Sequence, residues 1–468
     1  MYQIDLNSPV HVHFIGIGGI SMSGLAEILL SRGFTVSGSD NNESGLTVSL
    51  SEKGALIHIG QSAQNITDDI KLVVYTAAIH KDNPEFCEAL RRGLPMLTRA
   101  ELLGQIMKNY PLSAAVSGTH GKTTTTSMLT DILLEAGSDP TVSVGGMLKE
   151  IGGNIRIGSS GYFVTEACEY TNSFLSLYPR IGIILNIEED HLDFFKDLSD
   201  IRASFRTFAK LIPKDGTLVI NRDIDELSEF CSGLECGIVT FSSSEESDAD
   251  YSPKDILFDD LGCASYTLMA GGRPECRIEL KIPGVHNIAN SLAAIAAAHA
   301  LGISNEAVVS ALKSFKGVDR RFEYKGSFSG VTVIDDYAHH PTEIEATLKA
   351  AGNYPHKTLW CVFQPHTYTR TKSFFNDFAR ALSLADKVVL ADIYAARETD
   401  TLGVSSRMLS DAINENEGRE DKSFYLDSFD GIRAFLIKMC RPGDLVITMG
   451  AGDIYKVGDS LLDTDHCH

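Results

Sequence analysis

Short apolar runs alternate along this chain with stretches whose apolar residues recur every three or four positions, the pattern of strands leading into amphipathic helices. His11 to Ile17 is such a run. A glycine-rich turn, Gly16 to Gly24, follows it; the spacing then predicts a helix over 22–32 and a second strand from Thr35 to Ser39, ending at Asp40. A strand from Leu72 to Thr76 opens into the loop Ala77 to Pro84, and a helix from Leu102 ends at the boundary marked by Pro111.

The pattern then repeats with different punctuation. Pro111 to Val116 reads as a buried strand, and Thr124 to Ala136 reads as a helix with Met128, Leu129, Ile132 and Leu133 on one face. Val142 to Gly153 is glycine-rich and reads as turn, strand and turn, whereas Tyr162–Glu166 and Ile181–Asn186 are strand patterns that end in polar clusters. Phe241 to Asp250 is acidic and serine-rich, the composition of a surface loop. Ala264–Ala270 and Cys276–Ile282 form a hairpin pattern around Gly271–Pro274, and an alanine-rich helix opens at Pro283–Asn290 and runs to Leu301.

Strands Val331–Asp335, Thr358–Phe363, Lys387–Ala391 and Asp444–Met449 alternate with helical stretches over 342–351, 373–384, 405–414 and 429–439. Such alternation implies a mostly parallel sheet. At 468 residues the chain is too long for one core. The expected fold is therefore α/β in three domains: an N-terminal Rossmann-like domain over 1–109, a central P-loop ATPase-like domain with a mixed sheet over 110–321, and a C-terminal Rossmann-like domain over 322–468.

The candidate chemistry sits where strands turn into helices. In Gly118-Thr119-His120-Gly121-Lys122-Thr123-Thr124, two glycines bracket a strand-to-helix turn. Backbone N–H groups and a helix N-terminus there cradle phosphate, a lysine adds a point charge for terminal phosphates, and the Thr123 hydroxyl can hold Mg²⁺. Only two residues separate Gly118 from Gly121, where the usual motif has four. Two further strand ends present acids, Glu166 in one and the segment Asn186 to Asp193 in the other, and Mg²⁺ takes hard oxygen ligands of this kind. The first turn, with Gly16, Gly18 and Gly19 and with Asp40 about 20 residues on, has the outline of a dinucleotide fold, although Ser21 replaces its third glycine.

Charge narrows the choice of partner. With 41 basic and 62 acidic residues the net charge is −21, which argues against a nucleic-acid partner because no basic stripe is available to replace phosphate counterions. Nine scattered cysteines, an N-terminus without a basic-then-apolar leader, and no apolar run of 18 residues predict a reduced cytoplasmic protein that does not cross a membrane.

GTHGKTTTT resembles the phosphate loop of the Mur ligases, the ATP-dependent amide-forming enzymes of peptidoglycan synthesis. Within that family, the segments Gly16–Gly19, Ser39–Asn41, Asp82–Glu85 and Arg99–Glu101, together with DDYAHHPTE, FQPHTYTR and DIYAARE, resemble the branch that joins L-alanine to UDP-N-acetylmuramate. The resemblance runs from His11 to Tyr455 and implies an order of roles: the first domain holds the UDP-sugar, the second ATP, the third the amino acid. It implies Gly16, Gly18, Gly19, Ser39, Asp40 and Arg99 at the sugar nucleotide, and Gly118 to Thr124 at the triphosphate. Asn287 and Asn290 would lie on the adenine side, although asparagines at a helix start are also ordinary caps, and Arg320 and Arg321 would lie near the triphosphate. It implies Thr123, Glu166 and His191 as ligands of Mg²⁺, with Mn²⁺ accepted because imidazole suits it better. His191, Asp335, His339, Arg370 and Tyr394 would meet substrate, and Lys122, Arg370, His339 and His340 would serve the chemistry. Two positions depart from the family pattern: Cys168 stands where an acid is common, and Arg397 where a glycine is expected. A recycling ligase that adds a tripeptide to the same sugar, a nicotinamide oxidoreductase and a non-catalytic nucleotide switch are the rival readings.

Overall fold

The computed structural model describes residues 2–76, 78–148, 151–192, 194–396 and 398–463. Position 397, where the family glycine is replaced, lies outside the described residues, as do Ala77 and Asp193 of the two polar loops. The described chain packs as two compact units, one comprising Met1–Glu188, Leu198–Phe241 and Ala293–Val308, the other Glu189–Asp197, Ser242–Leu292 and Val309–His468.

The first unit begins with a five-stranded sheet. Strands β1 (His11–Ile15), β2 (Thr35–Asp40), β3 (Leu56–Ile59), β4 (Leu72–Tyr75) and β5 (Met96–Thr98) lie in the order β3-β2-β1-β4-β5, all parallel. Helices α1 (Ile20–Ser31), α2 (Gly45–Glu52), α3 (Pro84–Arg91) and α4 (Arg99–Met107) connect or follow them. This is the Rossmann-type order, and its switch point lies between β1 and β4, where a crevice opens at the carboxyl ends. Helix α4 begins three residues ahead of the expected Leu102, because Thr98 and Glu101 form a reciprocal cap: Glu101 N donates to Thr98 Oγ1 at 3.2 Å and Thr98 N to Glu101 Oε2 at 2.7 Å.

The same unit contains a second sheet, in which β6 (Leu112–Ser117) pairs in parallel with β9 (Tyr162–Glu166) and β10 (Ile181–Ile184). Beyond β10 lie β11 (Thr217–Asn221) and β12 (Gly237–Phe241); beyond β9 lie β7 (Thr141–Leu148) and the antiparallel β8 (Gly153–Arg156). The expected turn-strand-turn at 142–153 is thus a hairpin. Helix α5 (Lys122–Glu135) follows β6, and α6 (Leu198–Ala209) and α7 (Leu227–Cys231) complete this layer.

In the second unit, β13 (Tyr251–Phe258), β14 (Cys263–Ala270) and β15 (Arg273–Pro283) form an antiparallel meander. After α8 (His286–Ala300) and α9 (Asn305–Ser314) comes a sheet of order β16-β17-β21-β18-β19-β20. Its members are β16 (Glu323–Phe328), β17 (Val331–Asp336), β18 (Leu359–Phe363), β19 (Lys387–Leu390), β20 (Ser423–Tyr425) and β21 (Leu445–Met449), parallel except for edge strand β16. Helices α10 (Pro341–Gly352), α11 (Tyr368–Ser373), α12 (Phe375–Leu382), α13 (Ser406–Glu417), α14 (Phe429–Met439) and α15 (Tyr455–Leu462) accompany it. Two apolar layers flank this sheet, one built on Ile344, Phe363 and Phe378, the other on Val333, Trp360 and Leu436. The helix expected over 373–384 is α12, and the short helix α11, which was not expected, precedes it across a break at Phe374, whose φ of −109° and ψ of 24° leave the helical range.

Candidate active site

At the end of β6 the chain turns sharply through Gly118, with φ +143°, and Gly121, with φ +84°, before α5 begins at Lys122. A Cβ at Gly118 would stand 2.8 Å from Leu185 Cβ, so only glycine fits this turn in this backbone. Asn186, just past β10, clamps the turn from the side: it accepts His120 N–H at 2.8 Å and donates to the His120 carbonyl at 3.1 Å. Thr119 Oγ1 accepts Glu188 N–H at 2.9 Å.

Lys122 is folded back over its own loop. Its ammonium donates to the Gly118 carbonyl at 2.5 Å, to the Thr119 carbonyl at 3.0 Å, and to the Glu169 carboxylate at 2.9 Å. Burial disfavours the ammonium, but the carboxylate of Glu169 outweighs it and the Lys122 pKa is raised. Glu169 is itself only 3% exposed. Sequence reasoning passed over both Asn186 and Glu169; their signal was their place in the two polar strand ends that flank the loop. Glu166, at the end of β9, accepts Gly145 N–H at 2.8 Å, while Thr123 and Thr124 lie in the first turn of α5.

In the first sheet the glycine turn is held by the end of β2. Gly16 and Ile17 N–H both donate to the Ser39 carbonyl, at 2.9 and 3.0 Å, and Gly18 N–H donates to Asp40 Oδ2 at 2.9 Å. Gly19 caps α1 and Arg99 opens α4, where burial lowers the guanidinium pKa.

The second unit gathers another set. Arg370, on α11, donates to Asp190 Oδ1 at 2.7 Å, and the same oxygen accepts His191 N–H at 2.7 Å. His191 has φ +54°, a left-handed conformation for a non-glycine residue. Burial opposes ionisation of Asp190, yet Arg370 and His191 overcome it and hold the carboxyl well below the usual range. His366 stacks on Tyr394, with ring centroids 5.6 Å apart, and meets His339 edge-on at 5.9 Å. Burial, then the charges of His339 and Arg370, lower the His366 pKa to about 4, so it is neutral at neutral pH. His339 Nδ1 lies 3.0 Å from the Tyr337 carbonyl.

His340 caps α10, with Pro341 at the first helical position, so its ring also has a local structural duty. Arg320, itself at φ +61°, donates to Asp335 Oδ2 at 3.0 Å and to the Gly450 carbonyl at 2.7 Å. Thr448 Oγ1 holds the other oxygen of Asp335, whose pKa burial raises. Arg321 pairs with Glu343 at 3.6 Å. Asn287 and Asn290 are buried in the first turn of α8, where Asn290 Nδ2 donates to Asn287 Oδ1 at 3.0 Å and Asn287 Nδ2 to the Pro283 carbonyl at 2.7 Å.

The first unit thus brings together Gly118 to Thr124 with Glu169, and the second brings together His191, His339, Arg370 and Tyr394 around Asp190 and His366. Among the described residues no group of three His, Cys, Asp or Glu side chains is assembled to hold a metal ion alone. A metal that shares its coordination with phosphate oxygens and water does not need such a group.

Three family profiles tile the chain: the Mur ligase family catalytic domain over 11–111, the Mur ligase middle domain over 116–298, and the Mur ligase glutamate ligase domain over 320–452. The chain belongs to the Mur ligase family. Its three α/β domains are those of this family, and the ATP-dependent ligase chemistry of Mur ligases goes with them. The UDP-N-acetylmuramate–L-alanine ligase of Lachnospira eligens is 60% identical over 462 residues, 99% of this Mur ligase and 100% of that protein. That of Agathobacter rectalis is 57% identical over the same shares. Among solved structures, the UDP-N-acetylmuramate–alanine ligase of Thermotoga maritima matches with a TM-score of 0.78 and 29% identity, covering 98% of this Mur ligase and 99% of that chain. A murein peptide ligase of Psychrobacter arcticus matches with a TM-score of 0.68 and 26% identity, covering 97% and 98%. Among the described residues no helix is long and apolar enough to cross a membrane.

Proposed function

We propose that this Mur ligase joins L-alanine to the lactyl carboxylate of UDP-N-acetylmuramate at the expense of ATP, with Mg²⁺ as its metal, in the cytoplasm. The observation that carries the reading is the Lys122 loop, a lysine-bearing glycine cradle at a strand-to-helix junction, in a chain that matches alanine-adding ligases from end to end. Tripeptide addition has no comparable support, since the murein peptide ligase matches with a TM-score of 0.68 and 26% identity, against 0.78 and 29% for the alanine ligase of Thermotoga maritima.

A carboxylate and an amine do not condense unaided, because hydroxide is a poor leaving group and the amine is protonated. In the proposed reaction the lactyl carboxylate takes the γ-phosphoryl group of ATP and ADP leaves; the alanine amine, having lost a proton, then attacks the acyl carbon and phosphate departs. Gly118 to Thr124 cradle the triphosphate, and Lys122 turns from the loop carbonyls to the transferring group, where fixed positive charge counts most. Thr123, Glu166 and His191 would hold Mg²⁺, which supplies further neutralisation of the phosphates. The glycine cradle and the acid at the end of β9 suit a metal-bound triphosphate.

Gly16, Gly18, Gly19, Ser39, Asp40 and Arg99 serve the UDP-sugar, and Asn287, Asn290, Arg320 and Arg321 the nucleotide. Arg370 takes the alanine carboxylate with its guanidinium, which also bonds Asp190, and Asp335, His339, His340 and Tyr394 shape that end of the site. The boundaries that go with these roles are 109/110 and 321/322. Phosphate release that requires both the UDP-sugar and alanine tests the reading; release independent of alanine would refute it.

A further inference from the structure

Only Thr119 and His120 separate the two glycines of the phosphate loop, and so short a turn has to find partners for its backbone outside itself. All four backbone polar groups of these two residues are engaged. Thr119 N–H donates to the Asn186 carbonyl at 3.3 Å, and the Thr119 carbonyl accepts the Lys122 ammonium at 3.0 Å. His120 N–H donates to Asn186 Oδ1 at 2.8 Å, and the His120 carbonyl accepts Asn186 Nδ2 at 3.1 Å. Three of the four partners thus belong to one residue, Asn186.

Asn186 is itself held by the strand ends. Next to it, Leu185 N–H donates to the Ser117 carbonyl at 3.0 Å, extending the pairing of β10 with β6. From the end of β11, Asn221 Nδ2 donates to the Leu185 carbonyl at 3.0 Å, while Asn221 Oδ1 accepts Asp223 N–H at 2.9 Å. On the other side Glu188 N–H donates to Thr119 Oγ1 at 2.9 Å. The loop therefore continues the ladder of β6 and β10, with a side-chain amide standing in for a neighbouring peptide.

This fixes where the loop's other N–H groups point. A trans peptide is planar, and its carbonyl and N–H face opposite ways. Since Asn186 Nδ2 holds the His120 carbonyl, the N–H of the same peptide, that of Gly121, faces away from Asn186. Helix α5 follows at once: its first bond runs from Thr125 N–H to the Gly121 carbonyl at 3.0 Å, and among the described residues no side-chain hydrogen bond caps it. The N–H groups of Gly121 to Thr124 have no acceptor within the helix and lie at its positive end.

We propose that Asn186 is a positioning residue for ATP: by holding His120 on both sides it aims the Gly121 to Thr124 N–H groups at the triphosphate, and the end of β10 makes up for the loop's missing length. The proposal rests on the reading of Gly118 to Thr124 as the ATP site. Only a carboxamide serves both directions. An aspartate accepts the His120 N–H but sets a negative charge against the His120 carbonyl, and an alanine does neither.

The test uses the full-length protein, Asn186→Ala and Asn186→Asp. By calorimetry, Asn186→Ala should bind ATP with Mg²⁺ about ten- to a hundredfold more weakly, the loss of two hydrogen bonds. Asn186→Asp should lose at least as much, because its charge also opposes the triphosphate. The KM for ATP should rise in both variants while those for the UDP-sugar and alanine stay unchanged, a split that a general loss of structure does not give. Hydrogen exchange at the His120 amide, measured without ligand, should be slow in the unsubstituted protein and in Asn186→Asp, and fast in Asn186→Ala. Unaltered ATP affinity in both variants, parallel weakening of all three substrates, or a fast-exchanging His120 amide in the unsubstituted protein would overturn the proposal. An unsubstituted protein that binds no ATP would overturn the ATP-site reading and the positioning role with it, whereas normal ATP binding in all three proteins removes the role of Asn186 alone.

Discussion

The Lys122 ammonium and the Glu169 carboxylate are joined at 2.9 and 3.0 Å, and two loop carbonyls use the remaining hydrogens of the lysine. The phosphate loop thus holds its own cation. Glu169→Gln removes the charge but keeps the shape, and a hydrogen bond to a buried charged group contributes ~1.5–3 kcal/mol. The variant should lose stability of that order in denaturant melts. The Lys122 pKa is raised in the folded state, so the pair's contribution is complete below the ordinary lysine value and is lost only as pH climbs through the raised one. The gap between the two proteins should therefore hold through neutral pH and narrow only in alkali.

Lys122→Ala should lower turnover by on the order of 10² or more, the cost of removing one positioned charge-stabilising donor. The backbone turn is set by Gly118, Gly121 and Asn186, so the variant should retain its fold by circular dichroism. Near-normal turnover in a folded variant would remove the lysine from phosphoryl transfer.

Glu166→Gln keeps the volume at the end of β9 and removes a metal-holding charge. The Mg²⁺ titration of activity should shift to much higher concentration, and Mn²⁺ should support turnover because His191 is a better partner for it. An unaltered titration would place the metal elsewhere, and complete failure of Mn²⁺ would count against His191.

His366 gives a pH prediction. Its folded pKa of about 4 lies below the ordinary histidine value, so the unfolded chain binds the extra proton between about 6.5 and 4. Stability should fall across that window as pH drops, by up to one proton's slope of about 1.4 kcal/mol per unit. His366→Gln should flatten that part of the curve; identical slopes in melts of the two proteins would contradict the buried neutral ring.

Those sites differ in how readily the sequence discloses them. Gly118, Gly121 and Lys122 are legible because a glycine turn between an apolar run and an amphipathic helix has few other uses. Glu169 and Asn186 are not, since each is one polar residue among several at a strand end and only the folded chain shows which of them turns toward the loop. The same holds for elements. The parallel strands β6, β9 and β10 are mainly apolar, whereas β13 includes Pro253 and Lys254 and follows an acidic serine-rich run, so its pairing with β14 leaves little trace in periodicity. The break at Phe374 has no Pro or Gly to announce it. The contacts of Ser37 with His11 and His13 are hidden for a simpler reason: alternation puts His11, His13, Ser37 and Ser39 on one face, but which hydroxyl meets which ring is a matter of strand register.

The central claim is that the amine accepted is alanine. A pocket for it needs a carboxylate clamp and room for one methyl group, and discrimination by one methylene is worth only ~1–3 kcal/mol. Phosphate release from ATP should be measured with UDP-N-acetylmuramate and each amine in turn. The account predicts release with L-alanine, slower release with glycine and serine, and none with a tripeptide, whose first carboxyl is an amide and cannot fill a clamp built for a carboxylate. Preferential release with the tripeptide would contradict it.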